Sequence, residues 1–182
     1  MRAIPVIILI AVLAAAAAGE SVAVHGDFDV DGLTGTAILG ELFAALEVDG
    51  RRMDLRPPFV PDRLADGYGV AESKLHDWGE AGVDLLVTVD TGSAAHAELA
   101  LARELGMDVV VLDHHLVDAR PEAALALVNP RRPGSRYPNS ELCGAAVAAP
   151  AKHDSRWRRR PAAGTSWRSG TWLGWPSRTR RP

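Results

Sequence analysis

A lone cysteine, Cys143, stands in a chain of 182 residues. It excludes an internal disulfide and fits a reducing compartment, so the chain is expected in the cytoplasm. Long hydrophobic runs are also missing. The nearest candidate is an uninterrupted apolar stretch over 3–18 behind a single arginine. It is short for a membrane span, which needs about 20 residues, and no stable membrane association is expected. The stretch imitates a secretory leader with Ala16-Ala17-Ala18 as the cleavage site. Cleavage there would leave only Gly19 and Glu20 before the first strand, and the alanine-rich part equally suits a helix stopped by Gly19 and packed on the domain that follows. A nucleophile elbow is absent as well. Gly92-Ser93 follows an apolar strand but lacks the flanking pattern, which argues against a Ser- or Cys-based triad.

Charge of one sign does not dominate the whole, at net −3, but it is unevenly spread. Residues 1–149 carry 11 basic and 22 acidic side chains, and residues 150–182 carry 9 basic and 1 acidic. So abrupt a shift marks a boundary. The chain therefore divides into an apolar N-terminal segment over 1–18, a domain over 19–148 and a basic tail over 149–182. Its length allows one domain with a real core.

What is present is an acidic burst after a short apolar strand, Val22-Ala23-Val24-His25-Gly26-Asp27-Phe28-Asp29-Val30-Asp31-Gly32. Three aspartates this close repel one another unless cations sit among them. Alternation along an extended chain would put Asp27, Asp29 and Asp31 on one side, with His25 on the same parity. Imidazole suits Mn²⁺ or Fe²⁺ better than Ca²⁺, and the carboxylates suit Mg²⁺ and Mn²⁺. A calcium loop fits poorly, because the position it reserves for Glu falls at Thr36 or Ala37. A solvated acidic turn is the bland alternative.

Helical spacing follows over 33–46, with Thr34 or Thr36 able to cap or back-bond the first turn. Residues 52–56 alternate as a second strand. A loop rich in proline and glycine covers 57–69, and its Arg63 and Tyr68 have the chemistry to reach a phosphate and a base or sugar. Helices over 71–81 and 94–105 alternate with apolar strands over 84–90, 107–112 and 125–128. This pattern predicts an α/β fold, a mainly parallel sheet with helices on both faces.

Three of those strands end in polar clusters: His25/Asp29/Asp31, Asp90, and Asp113/His114/His115. Open α/β sheets bind ligands beyond the carboxyl ends of their strands, so the clusters share one edge. Such a set can hold two divalent ions about 3.5–4 Å apart with one Asp bridging, which suits in-line displacement at a phosphate.

Asp113-His114-His115 after an apolar strand, with His25-x-x-x-Asp29-x-Asp31 upstream and Val89-Asp90-Thr91-Gly92 between, resembles the DHH phosphoesterase superfamily. Within it the resemblance is to the RecJ-type exonucleases, which digest single-stranded DNA 5′→3′ in recombination and repair. The stretches that carry this are 25–37, 63–69 and Val128-Asn129-Pro130-Arg131-Arg132, followed by Tyr137-Pro138 and Leu142-Cys143-Gly144. It covers about residues 19 to 148.

The resemblance implies a Rossmann-like domain hydrolysing phosphodiester bonds in single-stranded DNA with two divalent metal ions, Mn²⁺ or Mg²⁺. His25 and Asp29 would hold one metal and Asp31 the other, with Asp90 bridging and His114 on the second. His115 would contact the scissile phosphate, Asp113 would orient the histidines, and the Arg63 loop with Tyr68 would lie near the strand being digested. The family has a further ligand aspartate after a helix that should begin near Gly144, a second domain and, in full-length relatives, an OB-fold.

From about Pro150 the sequence turns to Arg, Trp, Pro, Gly and Ser without helical or strand period. A shifted reading frame in a GC-rich gene yields such a composition and would leave a disordered tail. A basic, aromatic tail that binds nucleic acid is the rival. The alternatives to an active nuclease are a non-catalytic fragment that binds metal or nucleic acid, and a small-nucleotide phosphoesterase, against which Gly67-Tyr68-Gly69 argues.

Overall fold

The computed structural model describes residues 4–153, with side chains described over 10–149; the expectations for the basic tail lie outside the described residues from 154 on. The elements are α1 (Ile4–Ala18), β1 (Ser21–His25), α2 (Val30–Ala45), β2 (Asp54–Leu55), α3 (Glu72–Glu80), β3 (Leu85–Val89), α4 (His96–Glu104), β4 (Asp108–Leu112), β5 (Ala126–Val128) and α5 (Gly144–His153). Five strands form one sheet in the order β2-β1-β3-β4-β5, every neighbouring pair parallel.

Strand alternation sorts the core into two layers. Val22, Val24, Val87, Val89, Val110 and Leu112 face one side, where they meet Val12 and Ala16 of α1, Leu39 and Phe43 of α2, and Val147 of α5. Ala23, Leu86, Val109 and Val111 face the other side and meet Leu75 and Trp78 of α3 and Leu99 and Ala102 of α4. Both faces are covered, which is why these strands are continuous apolar runs.

The N-terminal apolar stretch is a helix whose Ala11, Val12, Ala15 and Ala16 are buried. It stops at Gly19, which has φ 69, with the Gly19 and Glu20 N–H groups donating to the carbonyls of Ala16 and Ala15. No helix among the described residues is long and apolar enough to cross a membrane.

Two expectations change. The second strand is only Asp54–Leu55, because Pro57 and Pro58 cannot donate to a ladder. The chain still runs beside β1, with the Arg56 N–H on the Val22 carbonyl and the Phe59 N–H on the Val24 carbonyl. The helix expected over 33–46 starts earlier, at Val30, which takes the acidic stretch out of an extended conformation.

Candidate metal centre

In this strand order β1 and β3 lie side by side while their following connections leave in opposite directions, the position where open sheets bind ligands. Register aligns the tips. His25 pairs with Thr88 and Val89 with Leu112, and the Asp90 N–H donates to the Leu112 carbonyl at 2.8 Å. The acids after β1, β3 and β4 therefore meet, but not by simple alternation. Asp29 is the N-cap of α2, accepting from the N–H groups of Asp31 and Gly32 at 2.8 and 2.9 Å. Asp31 sits in the first helical turn. The threonines back-bond instead of capping, Thr34 to the Val30 carbonyl and Thr36 to that of Gly32.

Ligand atoms of Asp27, Asp29 and Asp90 lie within 4.8 Å of one another, and so do those of Asp90, His114 and His115. His114 Nε2 is 3.0 Å from Asp90 Oδ1 and 3.5 Å from Asp31 Oδ2. Asp90 is thus common to both groups.

Asp90 is 1% exposed, and neither of its carboxylate oxygens accepts a hydrogen bond among the described residues. Its backbone is left-handed at φ 61, uncommon for a residue with a Cβ and costly unless the surroundings enforce it. Burial, then the charges of Asp31 and Asp29, push its pKa to about 8. A buried carboxylate with no donor, an imidazole nitrogen beside it and two more carboxylates within reach form an oxygen-rich donor set with some nitrogen. That set fits a hard or borderline divalent cation such as Mn²⁺ or Mg²⁺.

Around this centre the remaining groups are well supported. Burial pushes the Asp31 carboxyl up, but the Ala145 N–H, the Cys143 thiol and the Gly144 N–H outweigh it and hold its pKa low. Those N–H groups lie 2.7 and 2.6 Å from the two oxygens of Asp31. Asp27 is 3% exposed, and burial raises its pKa. Asp113 accepts from the Ser93 N–H, the N–H groups of His114 and His115, and the His115 ring at 2.7 Å. Burial pushes Asp113 up, and these donors, the His115 ring first, carry it well below the carboxylate range. The same contact raises His115 to about 9. Asn129 locks the arrangement by donating to Ser93 Oγ and to the His115 carbonyl.

His25 is not brought to these donors. It is fully buried, with Nδ1 2.8 Å from the Gly26 carbonyl and Nε2 accepting the Ala71 N–H at 3.1 Å. Both ring nitrogens are committed to backbone, and edge contacts with Phe59 and Trp78 flank the ring. Burial lowers its pKa to about 4. His25 ties β1 to the turn before α3, and Asp27, which the implied ligand set left out, stands with Asp29 and Asp90.

Arg63 and Tyr68 do meet, through a residue the sequence reading left aside. Phe28 carries the Arg63 guanidinium 5.2 Å over its ring and the Tyr68 edge at 5.6 Å. Tyr68 is 77% exposed and borders a cleft of about 290 Å³ that Asp90, Asp113 and His115 also line.

The model of the DHH family, N-terminal domain, matches residues 21–162. The single-stranded-DNA-specific exonuclease RecJ of Bacillus subtilis is 37% identical over 134 residues, 74% of this chain and 16% of the relative. That of Thermus thermophilus is 45% identical over 109 residues, 60% of this chain and 15% of the relative. Among solved structures, an exonuclease RecJ bound to manganese superposes with TM-score 0.67 at 38% identity, over 81% of this chain and 36% of that one. The chain thus spans a minor part of the relatives it matches. With the match extending from β1 through the Asp113-His114-His115 cluster to α5, the chain belongs to the DHH family.

Proposed function

We propose that this chain carries the hydrolytic centre of a metal-dependent exonuclease that cleaves phosphodiester bonds in single-stranded DNA from the 5′ end. The observation that carries this reading is Asp90: buried, left-handed in its backbone, with no hydrogen bond to either oxygen among the described residues and the His114 ring nitrogen 3.0 Å from one of them, between two groups of potential ligands. Asp27, Asp29, Asp31, Asp90 and His114 would hold the cations, and the donor set has room in number for two. His25 keeps loop geometry in this reading. When bound, the ions supply an activated water and neutralise phosphate charge.

The chain's own groups do the rest. His115, charged because Asp113 holds its ring, donates a hydrogen bond toward a phosphate oxygen from the wall of the cleft. Asp113 keeps that ring oriented. Arg63 faces backbone phosphate, and Tyr68 with Phe28 offers aromatic faces to unstacked bases.

A second reading, a fragment that binds metal with little turnover, is favoured by one sequence fact. The resemblance implies a further ligand aspartate beyond the helix that begins at Gly144, and among the described residues after Gly144 there is no carboxylate side chain. The test is digestion of 5′-phosphorylated single strands with Mn²⁺ or Mg²⁺, beside an Asp90→Ala control. Metal-dependent release of mononucleotides that the control abolishes establishes the nuclease. Mn²⁺ binding without release establishes the fragment, and absence of both removes the metal reading.

A further inference from the structure

We propose that Gly144 is a positioning residue that seats the first turn of α5 against Asp31 and Asp90 at once and thereby sets the spacing of the metal-binding carboxylates. The assignment rests on the metal-dependent reading above. On one side, the Gly144 N–H donates to Asp31 Oδ2 at 2.6 Å, and the Ala145 N–H donates to Oδ1 at 2.7 Å. On the other side, a Cβ at position 144 would lie 2.5 Å from Asp90 Oδ1 and 2.7 Å from both Cβ and Cγ of Asp90.

Asp90 has nowhere to retreat. Its side chain is 1% exposed, and its N–H is fixed on the Leu112 carbonyl. Gly144 is not among the residues with positive φ, so its backbone does not need a glycine. Space needs it. Only a hydrogen at this position lets one residue grip the acid of α2 and lie flat on the acid of β3.

Glycine on the facing helix works the same way. A Cβ on Gly35 would meet Val89 Cγ2 at 2.6 Å and would lie 3.7 Å from the backbone of Ala145. Three elements that carry or hold the acids, α2, β3 and α5, therefore meet through residues without side chains. A methyl group at 144 must part α5 from Asp90, and Asp31 moves with α5 because its two oxygens are bound there.

The experiment is Mn²⁺ titration of the full chain and of Gly144→Ala, read by the electron paramagnetic resonance of free Mn²⁺, together with melting in EDTA. Gly144→Ala is expected to weaken Mn²⁺ binding about tenfold or more, the range for residues that orient ligands. In EDTA it should melt several degrees below the parent. Asp90→Gly removes all three contacted atoms and relaxes the left-handed φ, so Gly144→Ala should cost almost nothing in that background. Should Gly144→Ala fail to fold, recovery of folding in Gly144→Ala/Asp90→Gly supports the same contact. Mn²⁺ affinity equal to the parent's, or an equal melting penalty in both backgrounds, overturns the assignment. A parent chain that binds no Mn²⁺ overturns the metal reading instead and leaves the melting comparison standing.

Discussion

Asp90 works against the stability of the fold that holds it. Its pKa, raised to about 8 by burial and by Asp31 and Asp29, means that an ionised Asp90 penalises the metal-free native state. The sign follows from linkage: the penalty is small near the ordinary carboxylate range and grows as pH rises toward the folded value. Asp90→Asn is therefore expected to abolish Mn²⁺ binding and yet, in EDTA at pH 8, to melt above the parent, with the advantage shrinking toward pH 4. Melting curves of both chains across that range check it. A second residue-scale prediction concerns His115, raised to about 9 first by its bond to Asp113. In Asp113→Asn the partner is neutral, so the imidazole should titrate well below that value in the metal-free chain. Proton NMR of the histidine C–H resonances reads it directly, and an unchanged titration near 9 would remove Asp113 from its supporting role.

At the scale of elements, α1 makes the sharpest prediction. Val12 is 1% exposed and packs in the cluster formed with β1, α2 and α5, while Ile10 is 44% exposed. Val12→Ala should cost about 2 kcal/mol through lost burial and a cavity, and Ile10→Lys should stay within about 0.5 kcal/mol. Chemical denaturation of the full chain measures both. Equal effects would mean that α1 does not pack on the sheet. The run over 3–18 left leader and helix both open, because apolar composition marks burial without saying in what. Strands over 84–90 and 107–112 were legible for a firmer reason, since buried parallel strands must be continuously apolar and must end where polar chemistry begins. Asp29 shows where that logic stops. Period 2 put the acids on one face of an extended chain, but an N-cap aspartate starts the helix at Val30 and turns Asp31 onto α5. Capping is a local competition that parity does not register. His25 shows the same limit: its type and spacing suggest a ligand, and only the fold reveals the Ala71 N–H that donates to its Nε2. The closeness of Gly144 to Asp90 is likewise set by packing between elements 54 residues apart in sequence and has no local signature.

For the molecule as a whole, the acids and histidines at the strand tips should give the metal-free chain a stability maximum that divalent cations broaden. Between pH 4 and 6.5 His25 opposes Asp90. Its pKa is depressed by burial from 6.5 to about 4, so the unfolded chain binds a proton that the folded chain refuses. Alone it would cost roughly 3 kcal/mol as pH falls from 6.5 to 4, but Asp90 regains a proton over the same range and returns a similar amount, and below pH 4 stability falls as Asp31 and Asp113, both held below the ordinary carboxylate range, are protonated. On the alkaline side Asp90 and His115 act together. Both have folded pKa values above their ordinary ones, about 8 and about 9, so the stability they contribute is present at lower pH and drains away as each loses its proton. Cations that bind the folded donors and not the unfolded chain replace the proton on Asp90 and add stability by mass action. Thermal melts in EDTA should therefore stay nearly level between about pH 4 and 6.5 and fall on both sides of that range. With excess Mn²⁺ the alkaline limb should rise toward the level stretch, because the cation takes the place of the Asp90 proton there. An alkaline limb that climbs in EDTA, or one that Mn²⁺ leaves unchanged, would mean that Asp90 and His115 are not the groups that control stability there, because both lose in that range the proton that the folded chain favours.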